Sequence, residues 1–211
     1  VCSTRAISSD IDQNRIAVSP HLCMGCGACA SVCPSGAMRY AYPRVADLGA
    51  RIKTVLQTYR NAGGSAACLL FHNTTDGREL VAQLGRRGKG LPANVIPLEV
   101  FHVAALGPDL MLGSYALGAA QVAVLAAGSE APDYLGSLQR QLGLAQQIVS
   151  GLGFGGGHFR LIEAQDVPAL EQALWQLGKV REVKPATFNL FNEKRATLDF
   201  AFDHLLKNAP A

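Results

Sequence analysis

The sequence is short of charge, and the charge it has nearly cancels. Charged residues fill 17% of 211 positions, with 19 Lys and Arg against 16 Asp and Glu. A balance of +3 is too small for a nucleic-acid footprint, and no nucleic-acid-binding motif accompanies it. Cysteine is also scarce for a disulfide scaffold: there are six. A chain of this length buries about 70% of its unfolded surface and needs no such staples. Residues 1–20 contain no apolar run of the signal-peptide kind, and residue 1 is Val rather than Met. The expectation is an excerpt or processed piece of something longer. A catalytic triad, a paired carboxylate site and a nucleotide fingerprint are missing too, so the enzyme question stays open and the sequence favours a component over a catalyst.

One uncharged run raises the membrane question, residues 110–127, "LMLGSYALGAAQVAVLAA". Its eighteen residues just reach the length of a membrane-spanning helix. Gly118 divides it into a helical half and a β-branched half, and Pro108 and Asp109 stand in front as a helix start. A buried helix followed by a buried strand is the expected reading, with no membrane span.

What is present is periodicity. Leu48, Ile52, Val55, Leu56 and Tyr59 recur at helical spacing, and Gly63 and Gly64 follow as a stop. Short apolar runs at 66–71, 94–101, 121–127 and 159–164 read as strands, the second weakened by Pro97. Helical patterns at 77–87, 108–118, 132–150 and 167–178 lie between and after them. Such alternation implies a parallel sheet covered on both faces. A last helix, with Leu198, Phe202 and Leu205 on one face, either pads this domain or leads into another.

Four of the six cysteines crowd into eleven positions. Cys23, Cys26, Cys29 and Cys33 with Pro34 spell C-x2-C-x2-C-x3-C-P. Two-residue gaps let one tight loop offer three thiolates to an iron–sulfide cube. Gly25 and Gly27 leave the backbone free to curl round it and aim N–H groups at its sulfurs. Zinc is the main rival, but it usually takes two short pairs separated by a longer stretch.

This run resembles that of bacterial ferredoxins binding [4Fe–4S] clusters. In two-cluster members the fourth Cys of each run ligates the other cluster. The chain opens "VCSTRAI", and residues 32–38 read "VCPSGAM", a repeat thirty-one positions apart. Cys2 then looks like the fourth Cys of an earlier run, with Ser3 where Pro is usual. The resemblance implies that Cys2, Cys23, Cys26 and Cys29 hold one cluster. Cys33 would serve a second, completed by upstream cysteines. The alternative is a local site closed by Cys33, with Cys2 a bystander.

Residues 1–44 thus resemble the second half of a two-cluster ferredoxin. More weakly, the rest resembles the delta subunit of methyl-viologen-reducing hydrogenase, through its strand–helix–strand order and "VIPLEVFHVAALGPDLMLGSYALGAAQVAVLAAGS". Those relatives carry [2Fe–2S] cysteines after the first strands; "FHNTTDG", "VFHVAALG" and "AAGSEAPDY" here carry none. The expected architecture is α/β. A ferredoxin-type module (1–44) precedes a three-layer domain with a mostly parallel sheet of about four strands (45–184), and a C-terminal helix and linker follow (185–211). The expected function is single-electron transfer in the cytoplasm with a dehydrogenase, hydrogenase or flavoprotein partner. The alternative is a redox-enzyme subunit whose α/β domain binds a small molecule or acts as a docking scaffold.

Other signals are weaker. Cys68 reads as a buried structural thiol. His72, His102 and Glu130 follow predicted strands and could share a crevice at the strand ends. "GLGFGGG" (151–157) follows a helix and precedes a strand, the wrong order for a dinucleotide site. "GRRGKG" (85–90) reads as a solvated basic turn. Arg39, Tyr40 and Tyr42 flank the cysteine loop, either as a docking surface or as packing over it.

Overall fold

The structure, a computed structural model, describes residues 2–210. Val1, which opens the repeat around Cys2, and Ala211, which ends the C-terminal "NAPA", lie outside the described residues. The N-terminal part holds a hairpin that sequence periodicity did not reveal. Strand β1 (Ile7–Asp10) pairs antiparallel with β2 (Arg15–Val18), Ile7 opposite Val18. All four residues of β2 are exposed, so no alternation marked it as a strand. A five-residue helix, α1 (Ala28–Val32), follows the cysteine loop.

The remainder is the expected α/β fold. Helix α2 (Val45–Asn61) leads into β3 (Cys68–His72), α3 (Asp76–Arg87) and β4 (Val95–Glu99). A 3-10 turn (Val103–Ala105) precedes α4 (Pro108–Ala116) and β5 (Gln121–Ala126). Then come α5 (Pro132–Gly151), β6 (Phe159–Glu163), α6 (Val167–Trp175) and α7 (Lys194–Lys207). The four strands are parallel in the order β4-β3-β5-β6. Pro97 cannot donate to a ladder, and β4 sits at the sheet edge where that costs least.

Period-two alternation divides the core. Leu69 and Phe71 of β3 face the side packed by α2, α4, α5 and α7. Cys68 and Leu70 face α3 and α6. All five residues of β3 and all six of β5 are buried, as a parallel sheet covered on both faces requires. Leu205 of α7 is fully buried in this core, and Leu198 and Phe202 pack against it. The C-terminal helix therefore pads the sheet domain.

Three helices end alike. The N–H groups of Gly63, Gly118 and Gly153 return to the carbonyls of Arg60, Tyr115 and Ser150; the next residue in each case bonds one position further back. This is the Schellman closure. Gly118 needs its glycine twice over: φ is +99°, and a Cβ would lie 2.7 Å from Arg60 Nη1. The uncharged run 110–127 is thus α4, this turn and β5. Among the described residues, no helix is long and apolar enough to cross a membrane.

The chain leaves β3 toward β4 on one side and leaves β5 toward β6 on the other, so the loops after β3 and β5 diverge at a switch point. There Asn73 Nδ2 donates to Glu130 Oε1 at 2.8 Å, bridging the two loops. Helix α1 packs nearby, against the 3-10 turn after β4 and against α5. The cysteine-bearing segment therefore rests on loops at the carboxyl end of the sheet, where open α/β folds commonly bind ligands.

Candidate metal centre

The backbone of the cysteine loop is shaped by two glycines. Gly25 and Gly27 have φ of +66° and +76°, the left-handed region that glycine enters freely. Gly27 caps α1, and a Cβ there would meet Ala105 Cβ at 2.7 Å. Its smallness therefore lets the loop close onto the 3-10 turn. The Tyr40 hydroxyl donates to Gly25 O, and the Tyr40 ring approaches Gly27, so Tyr40 packs over the loop. Tyr42 is exposed, and Arg39 pairs with Glu193 at 2.9 Å.

Cys2, Cys23, Cys26 and Cys29 line one cleft, together with Ile7 and Tyr134. Cys33 is not among its lining residues. All six cysteines are free, and Cys23 is exposed. Among the described residues, no group of three His, Cys, Asp or Glu side chains converges as on a single metal ion. The thiols surround a space instead of meeting at a point. Four soft sulfur donors around one cleft fit an iron–sulfur cluster.

The surroundings of Cys2 and Cys33 repeat. Cys2 Sγ lies 3.6 Å from Thr4 Oγ1, and Cys33 Sγ lies 3.4 Å from Ser35 Oγ. The Ala6 N–H donates to Cys2 Sγ at 3.2 Å. The Thr4 hydroxyl holds the Cys2 thiol below its usual range, against the smaller effect of burial. The Met38 N–H and then the Ser35 hydroxyl bring Cys33 down to about 7. Cys29 is pushed up by burial. Both outlying cysteines thus sit in small nests of donors that favour a thiolate.

Two further contacts tie this loop to the sheet domain, and local sequence gave no sign of either. The Lys194 ammonium, at the start of α7, donates to the carbonyls of Ala30, Ser31 and Cys33 at 2.5, 2.8 and 3.0 Å. It satisfies the carbonyl end of α1, where a cation also suits the helix dipole. Tyr134, in the first turn of α5, places its hydroxyl 2.5 Å from Ser3 Oγ and 3.5 Å from Cys26 Sγ. Ser3 was legible only as a departure from proline; its hydroxyl is what reaches Tyr134.

The crevice residues part company. His72 is buried, with Nδ1 3.0 Å from Asn73 O. His102 accepts the Ala104 N–H on Nδ1 and meets the Tyr134 ring edge-on at 5.2 Å. Burial lowers its pKa, and nearby Glu130 partly opposes this. Glu130 is held by Asn73 and by the Gly128 N–H. Cys68 is buried in β3 and pushed up to about 12 by that burial. The basic turn at 85–90 is pinned to α6, where the Lys89 N–H donates to Glu171 and Trp175 Nε1 donates to Gly90 O.

Fold and site together define an iron–sulfur module mounted on an α/β domain. The family model described as a 4Fe-4S binding domain matches residues 16–39, a span that includes Cys23, Cys26, Cys29 and Cys33 but not Cys2. That match supports an iron–sulfur cluster, and electron transfer as the general class of function. Among curated proteins, none matches the chain.

Proposed function

We propose that the protein carries single electrons between redox partners through a [4Fe–4S] cluster held by Cys2, Cys23, Cys26 and Cys29. The observation that carries this reading is that those four thiols line one cleft while Cys33 does not. Cys33, with its own nest of donors, belongs to a second cluster that residues outside this chain complete. When bound, such a cluster supplies one reversible electron at a potential set by burial, charge and hydrogen bonds to sulfur.

The chain's residues do the rest. Gly25 and Gly27 turn the loop, and Pro34 follows Cys33 as in the ferredoxin run. Tyr40 and Lys194 fix the loop and α1 from outside. Cys23, Leu22 and Met24 are exposed, which leaves this edge open to a dehydrogenase, hydrogenase or flavoprotein. The α/β domain, resembling the hydrogenase delta subunit without its [2Fe–2S] cysteines, is a docking scaffold. Clustered cysteines serving a metal centre instead of disulfides suit an electron-transfer component in the reducing cytoplasm.

A small-molecule site in the α/β domain is the weaker reading. The cavity beside Asp109 and Lys194 holds about 220 Å³, and a larger one of about 470 Å³, lined by His158, Arg181 and Glu182, lies just before β6, at the amino end of the sheet instead of the carboxyl end where open α/β folds bind ligands. Sites for small ligands run to roughly 300–1,000 Å³.

Iron and acid-labile sulfide assays on anaerobically purified protein, with EPR after dithionite, test the carrier. The expected result is about four irons per chain, set by the cluster type, and a reduced-cluster signal. Cys2→Ser abolishes that signal, whereas Cys33→Ser keeps it. The opposite pattern sinks the crossed ligand set.

A further inference from the structure

We infer that Tyr134 is a positioning residue of the cluster shell, a phenol reaching in from the α/β domain to bond the Cys26 sulfur while Ser3 holds it from the other side. This rests on the cluster reading above and adds a residue far outside the cysteine run. Ser3 is 131 positions from Tyr134, and Cys26 is 108 positions from it.

The geometry is built, not incidental. Tyr134 stands on the first turn of α5, whose start is fixed by Pro132 and by the Tyr134 N–H bond to Ala131 O at 2.9 Å. Its ring is only 5% exposed and packs with Ala28 of α1 and Ala104 of the 3-10 turn. His102 meets it edge-on, with planes at 80°. A ring held on three sides has one place for its hydroxyl, and that place lies between Ser3 Oγ and Cys26 Sγ. The same ring lines the cleft of the four thiols.

Proton direction follows from the ligand chemistry. A free Cys26 thiol can donate to the phenol oxygen. A ligating thiolate has no proton, so the phenol must donate to sulfur and Ser3 to the phenol. Donation to sulfur stabilises the reduced form more, because that form carries the extra negative charge. Tyr134 therefore raises the reduction potential and makes it depend on how the α/β domain seats against the module. Removing the hydroxyl should make reduction harder with the ligand set intact.

The test compares wild type, Tyr134→Phe and Ser3→Ala, each purified anaerobically as the full chain. Iron and sulfide content is measured first, and then the midpoint potential by redox titration followed by EPR. A wild type without cluster overturns the cluster reading, and this inference with it, before any variant is compared. With wild type loaded, Tyr134→Phe is expected to keep its iron. Its reduced-to-oxidised ratio at fixed potential should fall about three- to tenfold, the scale of one lost hydrogen bond. The tenfold end corresponds to about 59 mV for one electron. Ser3→Ala, at an exposed position, shifts the potential the same way by less. Equal potentials in wild type and a loaded Tyr134→Phe overturn the inference. If Tyr134→Phe fails to load, Ser3→Ala decides: a lower potential with full iron supports the role, and an unchanged potential overturns it.

Discussion

Strands β2 and β5 are built from similar residue types, yet every residue of β2 is exposed and every residue of β5 is buried. The contrast extends to the regions around them. The sheet domain has two continuous apolar cores, one on each face. The cysteine-bearing segment contributes only Ala28 and half-buried Cys26 to a cluster of three buried residues, shared with Ala104 and Tyr134. Ile11, Ile16, Val18, Leu22 and Met24 all point outward there. One region is held by hydrophobic burial. The other has little to bury, and on the proposed cluster reading it relies on metal–thiolate bonds and on what it borrows from its neighbour.

The largest effect should come from taking the metal away. Chelation is expected to erase amide-exchange protection across β1, β2 and α1, while β3 and β5 keep theirs. Equal loss in both regions breaks the comparison. Next in size is Leu69→Ala, which empties a fully buried site on the α2 side of the sheet. It should cost about 2–5 kcal/mol in denaturant unfolding. Iron per folded chain should not change.

Two smaller substitutions probe the join between the regions. Gly27→Ala forces a left-handed backbone, at about 1–2 kcal/mol, and drives a Cβ into Ala105. Its expected signature is reduced iron retention with an intact sheet domain by near-ultraviolet circular dichroism. Lys194→Met removes three charge-assisted bonds to the end of α1. A loss of about 1–3 kcal/mol is expected, seen as faster exchange in α1 before any change in β5. The smallest effect belongs to Cys68. Burial has raised its pKa to about 12, so iodoacetamide at pH 8 should leave it unmodified in the native protein. Labelling before unfolding would show that the sheet core opens more readily than its packing implies.

Legibility followed the range of the interaction. The helix starts at Pro108 and Pro132 and the stops at Gly63 and Gly118 are local backbone chemistry, and they were readable at once. Buried β3 and β5 announced themselves as apolar runs. The β1–β2 hairpin did not, because with neither face buried there is no alternation to detect. His72, His102 and Glu130 fall after strands as the pattern indicated. Whether they form an open crevice was a question of side-chain direction. Asn73, unremarkable in the sequence, bridges to Glu130 across the loops.

The sequence by itself determined the cysteine spacing, the glycines that let the loop turn, the repeat between Cys2 and Cys33, and the order of strands and helices. Each is set by neighbours a few residues apart or by a periodic apolar pattern. Tertiary structure alone decided that the cysteine loop lies against the carboxyl end of the sheet, that Lys194 satisfies the end of α1, and that Tyr134 stands between Ser3 and Cys26. The Lys194 and Tyr134 contacts join residues more than a hundred positions apart, and only the packing of α5, α7 and the 3-10 turn brings them within hydrogen-bonding reach.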